Sequence, residues 1–569
     1  MNSKDDTGRG VSCTVTGICQ KRIRLELTLR VTKDGKPWEG EGADALQFYV
    51  VETKSRRCCG VFESVRSEGS KRVLTFLITN RGDNACLDPG NYRIAVSGGD
   101  GTCFSDVVTA DDIRIDSADD KAALIAKFPY RKGCHYKVMI RPNRSENKSL
   151  VIEVSDFDGK KNPRRFVSDR KKDVIRSWYH LQKRLCAKSR KNSILFLRLH
   201  EGLPADNPDA LRERMIARGM GKKWQIHQAF INPAGGKRGF LDDIRLAAGL
   251  AKNAVVVIDE HVPMLDWLDP GKDLSLIQLW HAGVGFKATG YSRWGCKGAV
   301  APMSSHRRIT YATVSSVKVR DIFSELWGIA GEQIIPCGIP RMDRFLDSES
   351  AEIARNRLLE MYPVCRDRRV ILFAPTYRGR GFQDAHYPYD RIDLLALYEL
   401  AEKKGWVILL KMHPWVKQKP AIPDGCKDLI IDAGCEKIED LFQITDLLIT
   451  DYSSALFEFS LLQKPMLFYA FDEEAYAGER GFHRPYRENA PGKVVTDFGE
   501  LLAAIEGEDF ESEKVAAYVR DHFDTVDTKA CDRVIDWLIE GKMPAEYKDA
   551  LAAHEAYVKS WRGKRLLTN

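Results

Sequence analysis

The sequence is short of the features that mark membrane-spanning and secreted proteins. No run of about 18 apolar residues occurs in its 569 residues, so no segment is predicted to span a bilayer as a helix. Residues 1–10 are polar and no apolar segment follows them, which predicts no signal peptide. With 44% apolar and 30% charged residues the composition is globular, and the length predicts about three to four domains.

The cysteines show neither a zinc-binding nor a disulfide pattern. Fourteen cysteines are scattered without CxxC pairs or histidine partners at zinc spacing, and only Cys58 and Cys59 lie close together. Adjacent cysteines rarely form an unstrained disulfide, so we expect reduced thiols in a cytosolic protein. From residue 193 onward no Asp-x-Asp motif follows a predicted strand, and we therefore expect no metal site and no cofactor.

One segment concentrates positive charge. Between Lys160 and Lys191, thirteen Lys and Arg residues stand against Asp169 and Asp173, which exceeds the net charge of +8 of the whole chain. Such a density predicts an anionic neighbour, whereas a solvated linker and helix face is the alternative. Basic motifs interleaved with aromatic residues are absent, which argues against nucleic acid as the partner.

The amino-terminal part is predicted to be rich in β-strands. Segments 24–31 and 72–78 alternate polar and apolar residues, and turn signals such as 88–91 separate such segments. Short strands at this spacing favour a small antiparallel sandwich. We expect a β-rich domain over residues 1–158, followed by the basic linker and helix at 159–192.

From residue 193 onward predicted strands and helices alternate, and the pattern runs twice. Apolar strands are predicted at 194–197, 225–231, 254–258, 276–280 and 334–337, then at 370–374, 406–412, 447–450 and 466–468. This alternation predicts an α/β fold with doubly wound parallel sheets. We expect two facing sheet domains, 193–345 and 346–540, with a cleft between them, and a helical tail at 541–569.

The segment 447–459 is the clearest strand–turn–helix unit. Its apolar strand ends in Thr450 and Asp451, and apolar residues then recur at helical spacing. Ser453 and Ser454 fall at the predicted helix start, where backbone N–H groups and the helix dipole favour a bound phosphate. The alternative is an ordinary Asp/Ser helix cap.

Polar residues follow several predicted strands at their carboxyl ends. They are His281, Arg341, Arg378, His413 and the pair Ser453 and Ser454. Because parallel strands point their carboxyl ends toward the ligand crevice, we expect these side chains to converge on one cleft. Arginine forks, imidazoles and a helix start suit a pyrophosphate, although each histidine taken singly is also compatible with a structural hydrogen bond.

Several motifs, in order along the chain, resemble a known family. The chain is similar to the CDP-glycerol/CDP-ribitol polyol-phosphate transferases, which build wall teichoic acid and related capsular polymers. The resemblance rests on LIQLWHAGVGFKATGYSRWGCKG (276–298), CGIPRMD (337–343), ILFAPTYRGRGFQDAHYPYD (371–390), KMHP (411–414), the 447–459 unit and KPMLFYAFDEEAY (464–476). It covers about residues 193–523, and the WHAGVGFK and AHYP forms are closer to the ribitol-phosphate polymerases.

The resemblance implies a GT-B-like fold and a CDP-polyol polyol-phosphotransferase. Such an enzyme moves ribitol-phosphate, or next glycerol-phosphate, from a CDP-activated donor to a hydroxyl of a lipid-linked acceptor and releases CMP. The expected catalytic residues are His281, as general base, and His413. The expected donor- and phosphate-binding residues are Arg341, Thr376, Arg378, Asp451, Ser453 and Ser454, with Asp451 expected to orient the turn, a ribose or a histidine partner and not to act as a nucleophile. Lys287 and Arg293 are expected to hold acceptor phosphates, with a solvated face as the alternative for each.

A lipid-linked acceptor would place the protein at the inner face of the cell membrane as a peripheral protein. Apolar residues at i, i+4, i+7 and i+11 lie beside the basic segment, namely Val174, Trp178, Leu181 and Leu185. This stripe is compatible with an interfacial helix and equally with docking on the transferase domain. Two other functions stay open: a GT-B nucleotide-sugar glycosyltransferase of cell-surface polysaccharide synthesis, and a non-catalytic polyanion-binding protein.

Overall fold

Two β-sheets that enclose one apolar core form the first part of the chain. The computed structural model describes residues 11–98, 103–116, 123–131, 133–143, 149–157, 163–201, 206–232, 238–296, 299–379 and 383–565. The strands of the two sheets are β1 (Val11–Lys21), β2 (Arg24–Lys33), β3 (Lys36–Pro37), β4 (Gln47–Glu52), β5 (Cys58–Val61), β6 (Ser64–Glu68), β7 (Lys71–Leu77), β8 (Gly90–Ser97), β9 (Cys103–Asp106), β10 (Val108–Asp116), β11 (Leu124–Arg131), β12 (Cys134–Pro142) and β13 (Leu150–Phe157), with the short helix α1 (Glu41–Asp44). One sheet has the order β10-β1-β2-β7-β6 with β3 on β2, and the other β11-β12-β13-β8-β4-β5 with β9 on β8.

Alternation of side chains builds this core. In β2, Leu25, Leu27 and Leu29 are buried and the residues between them face outward, as the sequence pattern predicts for a strand covered on one face. The sheets differ at one edge from the expected antiparallel sandwich, since β1 and β10 pair in parallel. The chain reaches β10 from β9, a strand of the other sheet, so no hairpin imposes antiparallel pairing on β1.

Two six-stranded sheets, each parallel throughout, make up the rest of the fold. After α2 (Pro163–Leu185), the first sheet and its helices are β14 (Ser193–His200), α3 (Asn207–Ala217), β15 (Gln225–Asn232), α4 (Phe240–Lys252), β16 (Val255–Ile258), β17 (Ser275–Gln278), β18 (Tyr311–Thr313), α5 (Arg320–Trp327), β19 (Ile334–Ile335) and α6 (Met342–Leu346). The second has α7 (Ser348–Met361), β20 (Arg369–Phe373), α8 (Leu394–Lys404), β21 (Trp406–Leu410), β22 (Ile430–Asp432), α9 (Ile438–Phe442), β23 (Leu447–Thr450), α10 (Ala455–Ser460), β24 (Met466–Tyr469), α11 (Glu473–Arg480), α12 (Tyr486–Asn489), β25 (Lys493–Val495) and α13 (Phe498–Gly507). The expected α/β class is therefore confirmed.

The strand order of the two parallel sheets fixes where a ligand would bind. The orders are β15-β14-β16-β17-β18-β19 and β22-β21-β20-β23-β24-β25. The direction of winding therefore reverses between β14 and β16 in the first sheet, and between β20 and β23 in the second. Such switch points open a crevice at the carboxyl ends of the strands, which is where α/β sheets bind ligands.

A glycine allows the two parallel sheets to approach each other. Gly283 lies in the segment after β17, and a methyl group at its Cβ position would stand 2.0 Å from the Phe457 ring on α10. Phe457 is fully buried, so it has little room to move aside. Gly283, the first glycine of the HAGVG segment, is thus required for packing and is also part of a motif.

The last helices return to the first parts of the chain. They are α14 (Glu513–His522), α15 (Ala530–Arg533), a π-helical segment (Val534–Ile539) and α16 (Ala545–Trp561). Val534 and Ile535 pack with Ile194 and Phe196 of β14, so residues near the end of the predicted 346–540 domain share a core with the first parallel sheet. At the end of α16, Trp561 is buried against the amino-terminal sheets.

Helix α2 presents its apolar stripe outward. Ile175 and Tyr179 are buried against α4, whereas the side chains of Val174, Leu181 and Leu185 are 55%, 48% and 71% exposed. The residues that dock this helix are therefore different from the stripe that the sequence singled out, of which only Trp178 is partly buried in the core. Lys160 and Lys161 lie outside the described residues. None of the helices in the described ranges is long and apolar enough to cross a membrane.

Candidate active site between the two parallel sheets

A cavity of about 750 Å³ lies between the carboxyl ends of the two parallel sheets. Its walls include residues at the carboxyl ends of the strands at both switch points. Arg198 and Leu199 lie near the end of β14, Asp259 and Glu260 directly follow β16, Ala374 and Pro375 directly follow β20, and Ser453 and Ser454 lie in the turn after β23. Of the residues expected at the site, the cavity brings together His281, Arg341, His413, Ser453 and Ser454. The other expected site residues are not part of the cavity walls, namely Thr376, Arg378, Asp451, Lys287 and Arg293.

A left-handed turn presents His281 to the cavity. The strand β17 ends at Gln278, and Trp280 adopts φ = 58°, a conformation that a bulky residue rarely takes. Two side chains hold this turn: the Gln278 amide oxygen accepts from Trp280 N at 2.9 Å, and Asn207 Nδ2 donates to Trp280 O at 2.7 Å. The turn therefore fixes the backbone from which the imidazole projects.

The hydrogen bonds of His281 define its basic nitrogen. Its Nδ1 lies 3.1 Å from the carbonyl oxygen of Asp259 and 3.0 Å from a carboxylate oxygen of Glu260. Both partners are acceptors, so Nδ1 carries the proton, and Nε2 of the neutral ring keeps its lone pair for the cavity. Burial by itself would lower the pKa of His281, but the hydrogen bond and charge of Glu260 outweigh it and raise the pKa above its ordinary value.

His413 has the opposite proton arrangement. Its Nδ1 accepts a hydrogen bond from Trp415 N at 3.2 Å, so in the neutral ring the proton sits on Nε2. Burial, together with the nearby Lys287 and Lys411, lowers the pKa of His413 to about 4. The ring is held between Tyr377 and Trp415, with centroids 4.7 and 5.3 Å away. At neutral pH, His413 is thus an uncharged hydrogen-bond donor.

The turn after β23 places two hydroxyls at the cavity without using Ser454 as a helix cap. Ser454 occupies the N-cap position of α10, yet its side chain makes no capping hydrogen bond. Ser453 Oγ accepts only a long hydrogen bond of 3.2 Å from Ala455 N. Lys411 also lines the cavity; its Nζ donates to Gly434 O at 2.6 Å and keeps its remaining N–H bonds for other acceptors.

Asp451 connects the loops that follow β20 and β23, and Arg378 connects Asp451 to the loop that follows β24. Asp451 accepts from Thr376 N at 2.7 Å and from Tyr452 N at 2.6 Å, and its other oxygen pairs with Arg378 at 2.8 Å. The remaining guanidinium nitrogens of Arg378 form a fork on Asp472, at 2.7 and 2.9 Å. The expectation that Asp451 orients the turn agrees with this geometry. A phosphate contact by Arg378 would have to displace an ion pair, so the structure favours a positioning role.

Arg341 is also occupied by carboxylates. It pairs with Asp206 at 2.9 Å, with Glu458 of α10, and with the carbonyl oxygen of His281 at 2.7 Å. These contacts connect the first parallel sheet to the second and hold the His281 backbone from a second side. Although Arg341 lines the cavity, its assignment to donor phosphate stays a prediction, and the observed contacts again favour positioning.

The two expected acceptor-side residues belong to a separate basic group next to the cavity. Lys287 Nζ lies 6.0 Å from the Tyr377 ring and 5.8 Å from the Tyr476 ring, and burial lowers the pKa of Lys287 to about 8. Burial and the neighbouring Arg480 lower the pKa of Arg293. Lys287, Arg293 and Arg480 are neighbouring cations, and their mutual repulsion favours an anion bound between them. The pairing of Ala288 N with Gly481 O at 2.9 Å fixes this group against the second sheet's loops.

Sequence reasoning missed the acidic corner of the cavity. Asp206, Asp259 and Glu260 all line it beside His281. Burial, with the charges of Asp206 and Glu260, raises the pKa of Asp259 to about 7. A signal was present, because Asp259 and Glu260 directly follow the predicted strand 254–258 at its carboxyl end. Within the described ranges no group of three His, Cys, Asp or Glu residues is arranged to hold a metal ion, and metal independence stays a prediction.

Fold and site define an α/β protein in which two parallel sheets share one ligand cavity. Comparison with known families then identifies the group: the family model described as CDP-Glycerol:Poly(glycerophosphate) glycerophosphotransferase matches residues 179–540. The chain belongs to this family.

Two relatives and one solved structure are similar to the chain. It is 36% identical over 360 residues to the teichoic acid ribitol-phosphate polymerase TarL of Staphylococcus aureus, covering 63% of each chain. It is 38% identical over 296 residues to the teichoic acid poly(ribitol-phosphate) polymerase of Bacillus spizizenii, covering 52% of this chain and 48% of that one. The chain thus matches between about half and two thirds of these relatives' lengths. A structure of the wall teichoic acid polymerase TagF soaked with CDPG aligns with TM-score 0.52 and 24% identity, over 68% of this chain and 96% of that chain, which shows a common fold.

We predict that Arg378 matters mainly for stability. Arg378→Ala leaves the buried Asp451 and the partly buried Asp472 without their cation, and the unpaired buried charge costs about 3–5 kcal/mol. Denaturant unfolding of the purified variant measures this loss. The matched control is Arg369→Ala, which removes a half-exposed arginine of β20 that pairs with the exposed Glu508 and should cost far less. A variant that unfolds like the wild type but has lost its affinity for the nucleotide donor would instead make Arg378 a phosphate ligand.

Proposed function

We propose that the chain transfers a polyol-phosphate, with ribitol-phosphate favoured over glycerol-phosphate, from a CDP-polyol to the hydroxyl end of a lipid-linked teichoic-acid or capsule-type acceptor, and releases CMP. Family membership over residues 179–540 and the similarity to two ribitol-phosphate polymerases support the donor and polymer class. The single observation that carries the chemistry is the pair of histidines on one cavity, His281 with a basic Nε2 and His413 with an N–H donor.

The transfer step follows from these proton positions. The acceptor hydroxyl oxygen attacks the phosphorus that bears the polyol, and its proton passes to Nε2 of His281. The new P–O bond forms as the bond from that phosphorus to the bridging oxygen of the pyrophosphate breaks, and CMP leaves with the electron pair. Glu260 stabilises the imidazolium of His281 that results, because its carboxylate already contacts Nδ1.

The charge that develops on the phosphates needs fixed donors on the other wall. His413 donates from Nε2, Ser453 and Ser454 supply hydroxyls, and Lys411 supplies a cation. A neutral imidazole is suited to this role, since it donates a hydrogen bond without requiring a proton from solvent. Charge stabilisation of this kind usually provides a large part of phosphoryl-transfer catalysis.

The domain assignment extends this proposal. Residues 193–345 form the acceptor side and 346–540 the CDP-donor side of a GT-B-like pair, preceded by the β-rich domain at 1–158 and followed by the tail at 541–569. His281 and the basic group of Lys287, Arg293 and Arg480 lie on the path that an anionic polymer would take toward the cavity. That group binds phosphates of the acceptor chain, and anion binding offsets the repulsion among its cations.

Membrane attachment completes the proposed setting. The exposed stripe of α2 and its basic neighbours form a surface that suits anionic lipid headgroups, so the protein sits peripherally on the inner face of the membrane. The positive charge of this surface complements anionic headgroups, which is why we propose the membrane as its partner. The opposite face of the helix is already buried against α4.

The donor experiment tests the proposal directly. Purified protein is supplied with a short lipid-linked primer and CDP-ribitol, CDP-glycerol or a nucleotide sugar, and CMP release is followed. We expect release from a CDP-polyol, with CDP-ribitol preferred, and a fall in kcat of roughly 10²- to 10⁴-fold for His281→Ala. His135→Ala, whose ring stacks on Phe157 in the β-rich part, is the matched control. Turnover only with a nucleotide sugar would establish the glycosyltransferase, and polymer binding unaffected by His281→Ala without turnover would establish the binding protein.

The proton position on His281 predicts a pH dependence. In the wild type, kcat/KM rises with pH as His281 loses its proton, because only the neutral ring acts as base. Glu260→Gln removes the charge that favours the imidazolium, so the pKa of His281 falls and the acidic limb of the pH–rate profile moves to lower pH by about one pH unit. The control is Glu213→Gln, another carboxylate of the cavity wall, which should leave the limb in place. An unmoved limb in Glu260→Gln would assign the base to another group.

The exposed face of α2 predicts lipid binding. Replacing Lys171 and Arg184 of α2, together with Lys188 just after its end, with Gln removes three exposed charges without touching Lys183, which holds the helix by donating to Pro270 O at 2.7 Å. Co-sedimentation with phosphatidylglycerol vesicles should weaken roughly 100-fold, at about 1 kcal/mol for each charge. The same charge change at Lys403, Lys427 and Lys514 controls for net charge. Equal binding by both triple variants would exclude α2 as the attachment surface.

A further inference from the structure

One carboxylate of the cavity is buried without the partners that such a group normally has. Asp259 is only 5% exposed, and its Oδ1 has no hydrogen-bond partner among the described residues. Buried polar atoms are nearly always paired, and an orphan of this kind usually marks a place where a ligand or water binds. The residue lines the cavity, so a missing partner would come from the cavity side.

The position of Asp259 relates this orphan to the reacting hydroxyl. Its carbonyl oxygen accepts from His281 Nδ1 at 3.1 Å, so the same residue fixes the proposed base through its backbone and faces the cavity with its side chain. A group that touches Asp259 therefore lies next to the group that gives its proton to His281. In an acceptor with a terminal polyol, that neighbour is the hydroxyl on the adjacent carbon.

The surrounding charges decide what kind of group fits. Asp206 and Glu260 stand beside Asp259, and their negative charges disfavour a phosphate at this corner. A bound divalent ion is disfavoured by geometry, because these residues form no three-ligand cluster in the part of the chain that the structure describes. A hydroxyl carries a donor and no charge, so it satisfies the carboxylate without adding repulsion.

We propose that Asp259 is a specificity-determining residue that accepts a hydrogen bond from the acceptor hydroxyl next to the attacking one, so that the site takes acceptors ending in a 1,2-diol. The substrate class is a polyol end with vicinal hydroxyls, which ribitol and glycerol termini share. This inference rests on the proposed function, and it adds the recognition of the acceptor end. The raised pKa of Asp259, caused first by burial, agrees with a carboxylate whose Oδ1 has no donor among the described residues.

The test combines two acceptors with two variants. One synthetic primer ends in a 1,2-diol and the other lacks the hydroxyl next to the reacting one, and kcat/KM for each is measured by CMP release at saturating CDP-polyol. The wild type should prefer the diol roughly 10- to 100-fold, as expected for a hydrogen bond to a charged group. Asp259→Ala should lower kcat/KM for the diol by a similar factor and leave the deoxy primer nearly unchanged, while Asp259→Asn, which keeps an acceptor oxygen, should retain part of the preference.

The melting temperature distinguishes the proposed role of Asp259 from a merely structural one. Removal of an unpaired buried carboxylate relieves a desolvation penalty, so Asp259→Ala should melt at the same temperature as the wild type or higher. The control for the loss of a charge is Asp269→Asn, which removes an exposed carboxylate that pairs with Arg308 in the loops of the first parallel sheet. A lower melting temperature for Asp259→Ala, with both primers slowed equally, would make Asp259 structural and overturn the inference.

The outcomes separate this inference from the function on which it depends. If the wild type releases no CMP with either primer and any CDP-polyol, the proposed function fails. If the wild type is active but treats both primers alike, the transferase stands and the role of Asp259 falls. A water molecule that occupies the corner would give this second result, since the acceptor hydroxyl would then make no contact with the carboxylate.

Discussion

The arrangement of this site depends on one largely buried guanidinium. Arg341 follows the last strand of the first parallel sheet and reaches Asp206, the carbonyl oxygen of His281, and Glu458 on the second sheet's helix α10. Two carboxylates and a carbonyl around a single cation compensate the cost of its burial, and removal of either side would leave a charge without its partner. The same residue therefore sets the spacing of the two sheets and the position of the proposed base.

A division of labour follows from this use of charge. Arg341 and Arg378, the two arginines that follow strand ends, form ion pairs with carboxylates and hold loops in place. The side chains left to meet a substrate are weaker or neutral donors and acceptors: His281 with its basic Nε2, His413 with its N–H, and the hydroxyls of Ser453 and Ser454. Opposite environments separate the two histidines, because Glu260 favours the charged form of His281 whereas Lys287 and Lys411 oppose the charged form of His413. Groups whose environments drive their pKa values apart are suited to different roles in one reaction.

Much of the fold was predictable from the sequence, because long apolar strands alternating with helices specify parallel sheets. The short strands β18, β22 and β25 escaped the prediction, since three residues carry little periodicity. The rule that ligand crevices open at strand ends led to His281, His413, Ser453 and Ser454, all of which line the cavity, and applied consistently it would also have led to Asp259. It could not separate arginines that bind ligands from arginines that bind carboxylates, because the partners, Glu458 and Asp472, lie far away in sequence. The strained φ of Trp280 was equally invisible, as it depends on Gln278 and Asn207.

Buried and bridging contacts fix the β-rich part to the segment that carries Lys287 and Arg293. Arg22 donates to Ser292 O and to His483 O, each at 3.0 Å, and so spans the first sheet's loops and the second sheet's 481–486 segment. Trp294 is buried in the core of the amino-terminal sheets. Since the 285–293 segment carries Lys287 and Arg293, the amino-terminal sheets hold the backbone of the very group proposed to bind acceptor phosphates. Under the proposed function, the amino-terminal sheets therefore contribute to acceptor binding by holding this backbone in place.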